Sequence, residues 1–163
     1  MINYKKYLSS IILLTTVLLL TACTCKNPDN QFPLNSQGYP KTDTILINGR
    51  EYKIKDLYTG EKIVEAVTIE IEEDNNEIEL VLPIGSGISQ WSINQKDILL
   101  DNYKRSKVDI KEELEGPSPY IQAFKFTSDA HEIILKHHNV NELDKAFSDI
   151  EEDYMLKLQV IYK

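Results

Sequence analysis

Alternation of apolar and polar residues over three segments is the feature that most constrains how this chain folds. Apolar residues occupy every second position in 67–71, 78–82 and 156–162. Successive side chains of a strand point to opposite faces, so this period predicts strands with one buried face, as in antiparallel sheets. Asp74-Asn75-Asn76 separates the first two segments. We therefore expect these two segments to pair as a hairpin.

Asn48-Gly49 predicts a second hairpin, between Ile45-Leu46-Ile47 and Arg50-Glu51-Tyr52. Both central residues of a two-residue type I′ turn need positive φ, which Asn and Gly adopt most readily. Pairing across this turn sets Ile45 opposite Tyr52. Ile45 would then share a face with Ile47 and Ile54.

Further short segments extend the strand pattern. Candidate strands are Trp91–Ile93, Ile98–Leu100, Tyr120–Thr127 and Ile133–Leu135, with a weaker signal at Val108 and Ile110. Strands at this spacing predict an all-β fold, an immunoglobulin-like antiparallel β-sandwich over residues 44–163 with Trp91 in its core. Residues 141–150 fit either one short helix capped by Asn141 or a long loop.

The N-terminus carries a different kind of signal. Lys5 and Lys6 precede a mostly apolar run from Leu8 to Leu20, and Leu20-Thr21-Ala22-Cys23 follows. A basic start, a short apolar core and a small residue form a secretory signal, and the run is shorter than the roughly 20 residues that span a bilayer. The ending resembles a bacterial lipoprotein signal, in which the cysteine receives lipid and becomes the first residue.

This resemblance implies removal of residues 1–22, a lipid anchor on Cys23 and a place in the cell envelope. The membrane would be the outer one where the organism has one. Residues 23–43 are rich in Asn, Gln and Pro and predict a flexible tether. Cys25 in this tether is either an unpaired thiol or a site of intermolecular pairing.

The net charge bears on the class of partner, and the length bears on the number of domains. Residues 1–22 hold two lysines and no acid, so their removal changes the net charge from −8 to −10. Such a charge argues against a nucleic-acid partner, which needs a basic face. The remaining length fits one domain, which we expect to be a monomer.

No group of residues in the sequence predicts a catalytic site, a metal site or a cofactor site. Ser86 and Ser89 each lack the flanking glycines of a nucleophile elbow. His137 and His138 would point to opposite faces of a strand, so they would not share one ion, and we expect them to be solvated loop residues. Residues 74–77 predict a polar turn rather than a calcium loop. The protein is therefore not expected to be an enzyme.

Three segments carry a family resemblance. The first combines a strand, a Gly/Pro loop and a tryptophan, in Leu80-Val81-Leu82-Pro83-Ile84-Gly85-Ser86-Gly87-Ile88-Ser89-Gln90-Trp91. The second is the loop Gly116-Pro117-Ser118-Pro119, which leads into Ala123-Phe124-Lys125-Phe126. The third is His137-His138-Asn139, which follows Ile133 to Lys136. Their order and spacing, over roughly Val64 to Lys163, resemble those of the chagasin-like inhibitors of papain-type cysteine proteases. That family's Asn-Pro-Thr-Thr-Gly and Arg-Pro-Trp loop sequences are absent here.

The resemblance implies that three loops at one end of the sandwich enter the protease cleft. These protease-binding residues would be Pro83, Ile84, Gly85, Ser86, Gly87 and Ile88, flanked by Gly116, Pro117, Ser118 and Pro119 and by His137, His138 and Asn139. The implied function is a membrane-anchored inhibitor of papain-type cysteine proteases. Ordinary β-turns explain the same residues. The alternative is a non-catalytic accessory or binding lipoprotein, at the surface or in the periplasm, with the same sandwich.

Overall fold

The computed structural model describes residues 32–72, 76–85, 87–94, 96, 98–108 and 120–163. The strands in these ranges are β1 (Thr44–Ile47), β2 (Arg50–Lys53), β3 (Ile63–Ile71), β4 (Glu77–Ile84), β5 (Ser89–Ile93), β6 (Ile98–Lys107), β7 (Tyr120–Ser128), β8 (Glu132–Asn139) and β9 (Tyr154–Tyr162). They form a five-stranded sheet in the order β2-β1-β4-β7-β6 and a four-stranded sheet in the order β3-β9-β8-β5.

The strand order is that of an immunoglobulin-like sandwich. With β2 and β3 set aside, β1-β4-β7-β6 and β5-β8-β9 correspond to the ABED and CFG sheets of that fold. The predicted all-β immunoglobulin-like sandwich is therefore confirmed. Its description as purely antiparallel is wrong for one pair, because β3 runs parallel to β9 from Ile63 opposite Tyr154 to Ile71 opposite Tyr162.

The hairpin predicted at Asn48-Gly49 is confirmed. β1 and β2 pair antiparallel with Ile45 opposite Tyr52. Asn48 and Gly49 have φ values of 48° and 74°, the left-handed conformation that a type I′ turn requires. The Asn48 side chain also accepts a hydrogen bond from the backbone amide of Glu79, which ties the turn to β4.

The hairpin predicted between β3 and β4 is wrong. The two strands lie in different sheets: β4 pairs along its length with β7, and β3 pairs with β9. Each strand has an apolar face, and placing the two strands in opposing sheets directs both faces into one core. The alternation specified which face of each strand is buried, but not which partner the strand pairs with.

The core lies between the two sheets and is formed by their alternating inward side chains. Its fully buried large members are Trp91, Tyr154, Phe126, Ile45, Ile69, Ile78, Leu80, Leu82, Ile84, Ile133 and Leu135. Trp91 is 2% exposed, which confirms its predicted place in the core, and its indole nitrogen donates to the Pro83 carbonyl at 2.9 Å. Burying a large apolar side chain stabilises the fold by about 1.5–3 kcal/mol.

A second cluster covers the outer face of the five-stranded sheet. Phe32, 5% exposed, packs there with Leu46, Val81, Val108 and Ile121. The segment after Phe32 turns back on itself, and the Lys41 amide donates to the Pro33 carbonyl at 2.9 Å. The prediction of a flexible tether as far as Asp43 is therefore wrong for residues 32–43. Their polar composition concealed one aromatic anchor.

The connection between β8 and β9 contains two short 3₁₀ helices, Val140–Glu142 and Phe147–Asp149. The short helix that residues 141–150 allowed is therefore not formed, and the loop alternative is closer to the structure. The capping side chain is that of Asn139, which accepts from the amide of Asn141. The cap thus lies two residues before the position that the sequence suggested.

Candidate functional site

Four connections meet at one end of the sandwich. They are the connections β2–β3, β4–β5, β6–β7 and β8–β9. The strand ends that border these connections pair with one another at the same edge, as Ile84–Tyr120, Lys107–Tyr120, Ser89–Asn139 and Ile63–Tyr154. We call this edge the loop end. Its described residues are 54–62, 85, 87–88, 108 and 140–153, together with Lys107 and Tyr120.

The first predicted binding segment divides into a buried and an exposed part. Pro83 and Ile84 are the last residues of β4 and are buried, Ile84 at 1% exposure. Gly87 is exposed and Ile88 is 63% exposed. Ser86 lies outside the described residues. The surface that this segment offers a partner is therefore Gly87 and Ile88, and Pro83 and Ile84 support it from within.

The two glycines of this segment have different requirements. A Cβ at Gly87 would meet its nearest neighbour, a ring carbon of Tyr120, at 3.9 Å, so a small side chain fits there. A Cβ at Gly85 would overlap the hydroxyl of Tyr58. Positive φ among the described glycines occurs at Gly38, Gly49 and Gly60, so neither Gly85 nor Gly87 is needed for its backbone conformation. Gly85 is needed for the close approach of Tyr58.

Arg105 on β6 supports the exposed part of the loop. Its Nη2 donates to the Gly87 carbonyl at 2.8 Å. Its guanidinium carbon lies 4.8 Å from the centre of the Tyr120 ring, within range of a cation–π interaction. The arginine thereby joins the β4–β5 loop to the ends of β6 and β7.

The second predicted segment, Gly116, Pro117, Ser118 and Pro119, lies outside the described residues. The strand ends on either side of it can be placed, because Lys107 pairs with Tyr120 at the loop end. The predicted order of strand, connection and strand is therefore present around this segment.

The third predicted segment lies mostly inside a strand. His137 and His138 belong to β8 and are 2% and 0% exposed, so their description as solvated loop residues is wrong. β8 pairs with β5 on one side and β9 on the other almost to its end, which extends the strand through both histidines. Asn139 is exposed. Of this segment, Asn139 alone presents its side chain to solvent.

The two histidines face opposite sides of the sheet. His138 lies on the outer face, where its Nε2 is 2.7 Å from the Ser92 hydroxyl and its Nδ1 is 2.7 Å from the Asn139 carbonyl. His137 continues the inward face of β8 and packs against Trp91, with ring centres 5.1 Å apart. Neither His137 ring nitrogen has a hydrogen-bond partner among the described residues.

Burial lowers the pKa of His137 to about 4, because no partner compensates the charged form for its lost water. The nearby Asp153 carboxylate opposes this effect, and the charge of His138 adds to it. At neutral pH the imidazole is uncharged and acts as a core residue beside Trp91. His137 therefore contributes to the packing of the core.

A buried ion pair fixes the β8–β9 connection over the outer face of β8. Lys136 Nζ lies 3.2 Å from Glu152 Oε2 and donates to the Ile150 carbonyl at 3.1 Å. Glu152 Oε1 also pairs with Lys62 at 2.7 Å. Burial raises the pKa of Glu152, but hydrogen bonds from the two lysines outweigh it and hold the pKa below its usual range.

Three residues of this end carry no signal in the sequence. They are Tyr58, Arg105 and Gln122, and each contacts a segment that lies 18 to 31 residues away in the sequence. Gln122, fully buried on β7, accepts from the Trp91 amide and donates to the Trp91 carbonyl, and so bridges the two sheets. No local motif marks such residues.

Within the described ranges, no three His, Cys, Asp or Glu side chains are grouped so that they could hold a metal ion. None of the helices in those ranges is long and apolar enough to cross a bilayer. Comparison of the chain with family models, curated proteins and solved structures found no match. The chagasin-like resemblance thus depends on the sequence segments alone.

Proposed function

We propose that this protein inhibits papain-type cysteine proteases by inserting its loop end into the active-site cleft. The observation that carries the proposal is the exposed Gly87–Ile88 tip, held by Arg105 at the end of an immunoglobulin-like sandwich. A supported loop loses little conformational freedom when it binds, which favours affinity. The exposed Ile88 supplies an apolar contact of the kind that a protease subsite accepts.

The mechanism would be steric. Gly87, with no side chain, allows the backbone to approach the catalytic cysteine closely. Arg105 holds the Gly87 carbonyl at 2.8 Å, so this peptide group is already engaged and would resist the rearrangement that cleavage requires. The inhibitor would occupy the cleft without being turned over.

The test is a titration of a papain-type protease with the chain from residue 23 onward, made with Cys23→Ser to prevent lipid attachment. We expect stoichiometric, reversible loss of activity. Ile88→Arg should weaken inhibition at least about tenfold, as for a central interface contact. Leu99→Arg is the matched control, because Leu99 is 70% exposed on β6 near the opposite end. Absence of inhibition at micromolar protein that is folded by circular dichroism would refute the proposal.

The second candidate is an accessory or binding lipoprotein whose loops serve another partner. The observation that favours it is the burial of His137 and His138, which leaves Asn139 as the one side chain of the third segment that solvent reaches. This reading predicts no inhibition and a surface partner that co-purifies with the intact protein. Loss of that partner in the Ile88→Arg variant would assign the binding to the loop end.

We propose in addition that Cys23 carries lipid and anchors the domain to a membrane of the cell envelope. The support is the basic start, apolar run and Ala22-Cys23 junction of the sequence. Cells that express the chain should incorporate labelled palmitate into it, and Cys23→Ser should abolish the label. Equal labelling of the Cys25→Ser variant and the unsubstituted chain is the control. Label that persists in Cys23→Ser would contradict the anchor.

A further inference from the structure

Tyr58 lies at the loop end although it belongs to a connection that the family resemblance leaves out. It follows β2, on the turn before β3. Its hydroxyl lies against the backbone of Gly85 and occupies the space that a side chain at position 85 would need. The Tyr58 residue is nevertheless 51% exposed. One end of the phenol thus contacts the β4–β5 loop, and much of the rest remains accessible.

The turn that carries Tyr58 is anchored by the two residues immediately before it, Asp56 and Leu57. The Tyr58 amide donates to Asp56 Oδ1 at 2.9 Å, and the Thr42 hydroxyl donates to the same oxygen at 3.0 Å. Leu57, 6% exposed, belongs to the main core. A tyrosine on such a turn is oriented before any partner arrives.

Partial burial raises the pKa of Tyr58 to about 12, an effect that the neighbouring Gly85 backbone reduces and the Asp56 charge increases. The hydroxyl therefore stays protonated throughout the neutral range. Its contact with Gly85 does not change with physiological pH.

We infer that Tyr58 is a fourth contact of the loop end with its protein partner and that its hydroxyl positions Gly85 so that Gly87 and Ile88 project. Tyrosines with a fixed orientation and an exposed ring are enriched among the residues that dominate protein interfaces. Ile88 belongs to the β4–β5 loop and Tyr58 contacts it. Both are large residues that are more than half exposed. The partner is the papain-type protease, so the contact role rests on the proposed function.

The test compares three variants in the inhibition titration: Tyr58→Ala, Tyr58→Phe and Tyr103→Ala. Tyr103 is the matched control, since it is 45% exposed and lies on β6, where it packs on Phe124 away from the loop end. We expect Tyr58→Ala to raise the inhibition constant about ten- to thirtyfold, and Tyr58→Phe, which keeps the ring, to raise it only a few fold. Tyr103→Ala should change it less than about twofold.

A second measurement, of backbone amide resonances, tests the positioning role without a protease. Backbone amide resonances of Gly85, Gly87 and Ile88 should shift in Tyr58→Phe and remain unchanged in Tyr103→Ala. Gly85→Ala should give similar shifts, because its methyl group displaces the Tyr58 hydroxyl. Circular dichroism and urea unfolding check that each variant is folded.

Equal inhibition by Tyr58→Ala and Tyr103→Ala, in a protein that does inhibit, would overturn the contact role and leave the proposed function intact. Unshifted loop amides in Tyr58→Phe would overturn the positioning role. If the unsubstituted chain fails to inhibit, the proposed function fails and the contact role fails with it. The amide shifts then decide the positioning role separately.

Discussion

At the scale of the residue, Gln122 shows how one side chain joins the two sheets. It lies on β7 and is fully buried, and its amide group bonds both to the Trp91 amide at 2.8 Å and to the Trp91 carbonyl at 2.6 Å. Because β5 is an edge strand, these backbone groups have no neighbouring strand on that side. Gln122 takes the place of the missing strand.

Replacing Gln122 by leucine should lower the free energy of unfolding by about 2–4 kcal/mol. The substitution leaves a buried amide and a buried carbonyl of Trp91 without partners, and each unmet group costs about 1–3 kcal/mol. Gln159→Leu is the control at an exposed position of β9 and should change stability by less than about 1 kcal/mol. Urea unfolding at pH 7 measures both, and equal losses would contradict the bridging role.

His137 should make stability depend on pH between about 6.5 and 4. Burial lowers its folded-state pKa to about 4, while the unfolded chain binds a proton near pH 6.5. The unfolded state therefore gains protons first as the pH falls. Stability is fully present above pH 6.5, declines through this window and levels off below pH 4, by up to about 3 kcal/mol.

Urea unfolding from pH 7 to pH 4 measures this effect as the difference between the unsubstituted protein and His137→Phe. The phenylalanine keeps the contact with Trp91 and cannot be protonated. His131→Gln, at an exposed position, is the control and should keep the decline. A decline of the same size in His137→Phe would assign the pH dependence to other groups.

At the scale of the element, the β8–β9 connection combines one buried apolar residue, Ile150, with a buried ion pair. Neither of its 3₁₀ helices has a buried residue. The Lys136–Glu152 pair fixes it, with side chains 9% and 7% exposed, and the Lys136 ammonium also lies 5.2 Å from the centre of the Phe147 ring.

Glu152→Gln should lower the free energy of unfolding by about 2–4 kcal/mol, because it leaves the buried Lys136 ammonium without its counter-charge. The double variant Lys136→Met/Glu152→Gln should lose less than the sum of the two single variants. Lys145→Met removes a surface pair with Glu142 and should leave the free energy of unfolding almost unchanged. Urea unfolding measures all four, and additive losses would show that the pair is not coupled.

Alternation located most strands of the molecule but could not assign their neighbours. β7 and β9 were predicted almost in full, because each has an apolar face that local sequence displays. The extension of β8 through His137 and His138 was missed, since histidines carry no apolar signal and pairing with β5 and β9 decides their place. The resemblance to the chagasin-like family suggested Gly87 and Ile88 as contacts, whereas nothing in the sequence pointed to Arg105 or Tyr58.

At the scale of the whole molecule, Phe32 closes the outer face of the five-stranded sheet. It covers Leu46, Val81, Val108 and Ile121, which would otherwise form an exposed apolar patch. If Cys23 is the lipid anchor, eight residues, 24–31, separate it from Phe32, a reach of about 30 Å at full extension. That reach is shorter than a tether ending at Asp43 would give.

Phe32→Ala should lower the free energy of unfolding by about 3 kcal/mol, because it removes a buried ring and leaves a cavity. Leu34→Ala is the control in the same segment, since Leu34 is 40% exposed, and it should cost less than about 1 kcal/mol. Thermal or urea unfolding measures both. An unchanged stability for Phe32→Ala would restore the view of residues 32–43 as a tether independent of the domain.

The sequence by itself determined the positions of most strands, their buried faces, the turn at Asn48-Gly49 and the core position of Trp91. These features follow from side-chain periodicity and local backbone preference, which act over a few residues. Tertiary structure alone decided that β3 joins β9 in parallel, that Phe32 packs on the outer face and that Tyr58 fixes Gly85. Each of these is a contact between distant parts of the chain, and its energy depends on surfaces that exist only after the sheets have formed.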